Sequence, residues 1–174
     1  MKNHLYTGYN NQFKISYTIH KAPKHIVDIV YHVCKNDLEG YSYQYCLKNL
    51  LIIPTWQKSK YPINTLNQKI NKELDRLYLN VLKFAKKLKL DLKSVNKWLN
   101  GSSPITGQCL FGNPTNFTYN ELENLTYLLK YSSDKIGCCG MVYHPNYGKY
   151  GYPVTLFSDA KLNDLVSIIT NLKY

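Results

Sequence analysis

The chain has 174 residues, 44% of them hydrophobic and 14% aromatic, and carries a formal net charge of +11. Such a length suits one compact domain with its own core, and the apolar share excludes a disordered tail. The longest apolar run, Leu50-Leu51-Ile52-Ile53, is far too short to cross a membrane, and the N-terminus lacks the apolar core of a signal peptide, so an untargeted cytoplasmic protein without a membrane partner is expected.

Along the chain, Phe13, Ile15, Tyr17 and Ile19 alternate with Lys14, Ser16 and Thr18, the period of a half-buried strand. Pro23 suits a first helical turn, and Ile26, Ile29, Val30 and Val33 give the helix after it an apolar stripe. Residues 41–53 read as a second short helix that Pro54 ends. From Thr65 onward, Leu66, Ile70, Leu74, Leu77, Val81, Phe84 and Leu88 recur at three and four residues, as in a long amphipathic helix. Residues 91–100 read as a shorter helix closed by Gly101, and 102–115 as a loop. Thr118 and Glu121 form a capping box for a helix buried through Leu122, Leu125, Leu128 and Leu129. Residues 141–144 and 152–157 are expected to pair across the 145–151 turn, and Ser158 to cap a last helix carrying Leu162, Leu165, Val166, Ile169 and Leu172.

The charge is not spread evenly. Residues 1–60 hold +5, residues 61–100 hold +6, and residues 101–174 balance five cations against five acids. Arg76, Lys83, Lys86, Lys87, Lys89, Lys93 and Lys97 face only Asp91 between positions 76 and 97, a concentration that points to a polyanion such as nucleic acid. Arg76 is the single arginine, so bidentate readout of guanine has few candidates.

Within that stretch Ala85 is flanked by Phe84, Leu88 and Leu90, and Val95 and Trp98 form a second apolar set before Leu99-Asn100-Gly101. Residues 81–101 resemble the helix-turn-helix of phage-repressor-type DNA-binding proteins, although Lys89 stands where the family places glycine. The resemblance implies a second helix in the major groove of duplex DNA and a regulator of a phage, virus or mobile element, dimeric if its operator is two-fold. It implies DNA contacts from Lys83, Lys86, Lys87, Lys93, Ser94, Asn96, Lys97 and Asn100. The same residues also read as two packed core helices with a lysine-rich outer face.

Two weaker signals remain. His144, Tyr147, Lys149 and Tyr150 gather an imidazole, an amine and phenols in one loop, an alternative site for a small metal-independent enzyme or a sequestering protein acting on nucleotides or RNA. A host-factor antagonist acting by surface binding is a further alternative. Cys34, Cys46, Cys109, Cys138 and Cys139 are odd in number and irregular in spacing, so reduced thiols are expected. Cys109, Cys138, Cys139 and His144 make a poor zinc set, and neither metal nor cofactor is expected. The fold class expected is α+β, mostly helical: a strand-helix unit over residues 1–61, a helix-turn-helix-like part over 62–133, and a β-hairpin with a C-terminal helix over 134–174.

Overall fold

The computed structural model describes residues 3–65, 68–136 and 139–173. Leu66 of the long apolar stripe, and Gly137 and Cys138 of the glycine- and cysteine-rich stretch, lie outside them. The fold is α+β. In chain order it runs β1 (His4–Asn10), β2 (Ile15–Lys21), α1 (Lys24–Val33), α2 (Tyr43–Asn49), β3 (Leu51–Lys58), α3 (Gln68–Lys93), β4 (Leu99–Gly101), α4 (Glu121–Leu129), β5 (Ser133–Ile136), β6 (Cys139–Val142), β7 (Gly151–Ser158) and α5 (Leu162–Asn171). One five-stranded antiparallel sheet, ordered β1-β2-β3-β7-β4, organises the chain, and β5 and β6 form a separate pair.

Strand side chains point alternately to opposite faces, so the sheet sorts its apolar residues into two cores. Ile15, Tyr17 and Ile19 of β2, Leu51 and Ile53 of β3, and Val154 and Leu156 of β7 pack with Leu77, Val81, Phe84 and Leu88 of α3 and Leu165 and Ile169 of α5. On the other face Ile52, Trp56 and Phe157 meet Ile26, Val30 and Val33 of α1, Cys46 of α2 and Leu125 and Leu128 of α4. Burial of each such large apolar side chain contributes about 1.5–3 kcal/mol. The expectation of a mostly helical molecule is corrected accordingly, because the helices are layers on a sheet.

The helix expected over 41–53 is α2 followed by β3. Leu50 to Ile53 form an apolar run because β3 is buried on both faces, and Pro54 sits inside the strand. Pro54 has no N–H to donate, and β2–β3 pairing passes over Ile53 and Pro54, running from Ser16↔Trp56 and Tyr17↔Thr55 to His20↔Ile52 and Lys21↔Leu51. On its other edge β3 pairs with β7 without a gap, from Leu51↔Ser158 to Lys58↔Gly151.

That register also corrects the expected C-terminal hairpin. β7 is buried and needs partners on both edges, which β3 and β4 supply, whereas residues 139–142 pair with β5. Helix starts moved slightly as well. Pro23 precedes α1 as its cap residue, the side chain of Asn120 accepts from Glu123 N to cap α4, and α5 begins after Lys161. Cys34 and Cys109 form a disulfide with Cα atoms 5.8 Å apart, which corrects the expectation of reduced thiols throughout.

Among the described residues no helix-turn-helix forms over 81–101. Residues 81–93 belong to α3, which passes through Lys89 without a turn, and Leu99, Asn100 and Gly101 are strand β4. α3 ends through two tight backbone bonds, Lys97 N to Leu92 O at 2.9 Å and Asn96 N to Lys93 O at 3.0 Å, with Asn96 left-handed at φ 56°. Asparagine tolerates that conformation, which makes Asn96 the residue that terminates the helix.

Candidate functional site

The lysines nominated from the sequence do form one face. Lys83, Lys86, Lys87 and Lys93 are exposed along α3, Ser94 and Asn96 are exposed just beyond it, and Lys97 is half-buried. Ser94 donates its hydroxyl back to Asp91 O at 2.6 Å. Asn100 is elsewhere: it is fully buried, its Nδ2 donating to Asp37 Oδ2 and to Phe111 O at 2.8 Å each, while its Oδ1 accepts from Gly101 N and Phe111 N.

Asp37, itself partly exposed, is the centre of that knot. Its carboxylate also accepts from Trp98 Nε1 at 2.7 Å and faces Lys89 Nζ at 3.3 Å, and Lys89 lies over the Phe111 ring. Lys89 is therefore a bridge between α3 and the 34–42 segment, with its stem along the protein surface. Nearby, Asp159 accepts from Trp98 N at 2.7 Å and Tyr45 hydroxyl at 2.8 Å. The polar atoms named here have partners within the cluster, which holds the β4 edge in place.

The aromatic loop comes together only in part. His144 stacks on Tyr147 at 4.4 Å and lies 5.1 Å from Trp56 and 5.9 Å from Tyr131. Burial lowers the His144 pKa, and its Nδ1 accepts from Asn146 N. Lys149 and Tyr150 are drawn to the 59–63 segment instead, their carbonyls accepting from Ile63 N and Ser59 N. Among the described residues, no group of three or more His, Cys, Asp or Glu side chains is placed to hold a metal ion.

The feature that sequence reasoning missed is a cavity of about 490 Å³ between α4, β6, the start of β7 and the residues Ile63, Asn64 and Leu74. Ile63, Leu74, Leu122, Leu125, Met141 and Tyr152 make it apolar, and Glu121 is the one carboxyl among the described residues that line it. Glu121 Oε1 accepts from Thr155 hydroxyl at 2.5 Å, whereas Oε2 is shut from solvent and has no hydrogen-bond partner among the described residues. Glu121 keeps some solvent contact while its Oε2 does not, and burial pushes the carboxyl up to about 7 against the side-chain and backbone hydrogen bonds from Thr155. Buried Tyr119 and Tyr152 are raised as well, by burial first and in part by Glu121. Sequence reading spent Glu121 on a capping box, and only the fold shows it facing inward.

No protein-family model matches the chain. The chain is similar to cobalamin trafficking protein CblD of Rattus norvegicus, 24% identical over 126 residues, and of Homo sapiens, 25% identical over 126 residues, each match covering 72% of this chain. The Gallus gallus protein of the same name is 24% identical over 127 residues. The chain spans about 43% of the length of these curated relatives. This finding overturns the reading as a DNA-binding transcription regulator of a phage or virus, with duplex DNA as its partner. The nucleotide- or RNA-directed alternative and the host-factor antagonist are likewise set aside. No helix among the described residues is long and apolar enough to cross a membrane.

Proposed function

We propose that the chain takes part in cobalamin trafficking and acts on cobalamin held by another protein. The observation that carries the reading is similarity, over nearly three quarters of the chain, to vertebrate proteins whose name states that role. The cavity supports the second half of the proposal. At about 490 Å³ it falls in the range that receives drug-sized molecules, and a whole corrinoid with its nucleotide is far larger than that. The other polar clusters, around Asp37 and Asp159, are closed by their own hydrogen bonds. A protein that moves cobalamin without enclosing it has to meet the molecule at another protein's surface.

Removal of the gene from the source cell, followed by feeding of radiolabelled cobalamin and gel filtration of the extract, tests this role. The reading predicts that label shifts between protein fractions and returns to its original distribution when the chain is restored. An unchanged distribution in the deleted cell overturns it.

A further inference from the structure

α3 packs one side on the sheet and turns the other to solvent. Lys72, Leu79, Lys83, Lys86, Leu90 and Lys93 follow one another at spacings of three, four or seven residues, so they line one stripe opposite Leu77, Val81, Phe84 and Leu88. The four lysines are exposed, and Leu79 and Leu90 stand among them 57% and 65% exposed. At the helical rise the stripe is about 30 Å long. From Arg76 to Leu90 the sequence holds no acid, and among the described residues no salt bridge reaches any of these lysines.

Two leucines in water, framed by four ammonium groups, have the anatomy of a protein interface, an apolar centre with a polar border. The lysine stems lie along the helix beside the leucines and hold their charges outward. The chain supplies no counterpart to this stripe, since outside α3 each helix carries at most two acids, and a second copy would set lysine against lysine. An anionic membrane calls for a broad apolar face, and the apolar face of α3 lies on the sheet.

We infer that this stripe docks the chain on an acidic surface of the protein that holds the cobalamin, with Leu79 and Leu90 seated between that protein's carboxylates. The inference rests on the trafficking reading, under which the chain meets cobalamin at another protein's surface. Attraction between lysines and carboxylates speeds the encounter, and desolvation of the leucines slows separation.

The test uses the full chain and the source cell's cobalamin-binding protein, purified by following radiolabelled cobalamin and loaded with hydroxocobalamin. Association and dissociation rates are measured by surface plasmon resonance, with the fold of each variant checked by circular dichroism. The triple variant Lys83→Glu, Lys86→Glu, Lys93→Glu is expected to associate about tenfold more slowly, and high salt to slow the native chain similarly. Lys21→Glu, Lys35→Glu, Lys48→Glu makes the same change in net charge at exposed positions away from α3 and is expected to stay within about twofold of native. Leu79→Ser with Leu90→Ser is expected to dissociate about tenfold faster. A lysine variant of α3 that associates like the native chain, a control variant that loses as much, or a leucine variant that dissociates at the native rate would overturn the docking face. So would sedimentation with phosphatidylserine vesicles that the α3 lysine variant loses while its binding to the loaded protein is unchanged. A native chain that binds no loaded protein sinks the trafficking reading and this inference with it. Native binding that every variant shares sinks the docking face alone.

Discussion

Glu121 and His20 carry opposite signs in the dependence of stability on pH. His20 is buried, and burial, helped by His4, lowers its pKa from 6.5 to about 4. Between those values the unfolded chain holds more protons than the folded one, so stability rises with pH. Glu121 is raised from 4.5 to about 7, so across that window the folded state holds the extra proton and stability falls as pH rises. The shifts are of similar size, each on the order of 3 kcal/mol, and nearly cancel in the native protein. Glu121→Gln should therefore uncover a rise in the urea midpoint between pH 4 and 6.5, and His20→Gln should uncover a fall between pH 4.5 and 7; flat profiles in both variants would remove this account. Asn100, read from the sequence as a base reader, is a buried hinge of four hydrogen bonds. Asn100→Ala should cost about 2–4 kcal/mol in urea unfolding, while Asn100 would have been nearly free to change had it faced solvent. Nothing in the local sequence separates those two fates: Asn100 follows an apolar pair in either case, and only its long-range partner Asp37 decides.

Secondary structure is most legible where one face is buried, and β3, buried on both, is the strand that reads as helix. The period-two pattern of β2 and the three-and-four spacing of α1, α3 and α5 stand out because each has a wet side. β3 is dry on both faces, so Leu50 to Ile53 lack the alternation that marks a strand and Pro54 reads as a helix stop, whereas residues 152–157 of β7 read as a strand whose partner alone differs. The helix-turn-helix pattern matched spacing alone: Phe84, Ala85 and Leu88 are buried because α3 lies on the sheet, and the chain turns at Asn96, not Lys89. The disulfide was illegible because Cys34 and Cys109 are 75 residues apart and meet only when the end of α1 packs on the loop after β4. Cross-linking so long a loop stabilises by roughly 2–4 kcal/mol. Cys109→Ser, or reduction of the native protein, should lower the thermal midpoint accordingly; no shift on reduction, with loss of the bond confirmed by thiol counting, would contradict a structural role.

For the whole molecule, the positive charge is a surface property of α3 and does not define the fold. Lys83, Lys86 and Lys87 are exposed, and among the described residues no salt bridge ties them to an acid. Replacing all three with glutamine should leave the unfolding free energy within about 0.5 kcal/mol of the native value in urea titration. A larger loss would mean that the face is packed against something. The central claim concerns cobalamin, and it is tested most directly by co-migration: the purified chain is run on gel filtration with free hydroxocobalamin, and separately with the source cell's cobalamin-binding proteins in their loaded and empty forms. The account predicts that free hydroxocobalamin elutes apart from the chain and that the chain shifts to larger size only with loaded protein. Co-elution with free hydroxocobalamin, or no shift with any loaded protein, would contradict it.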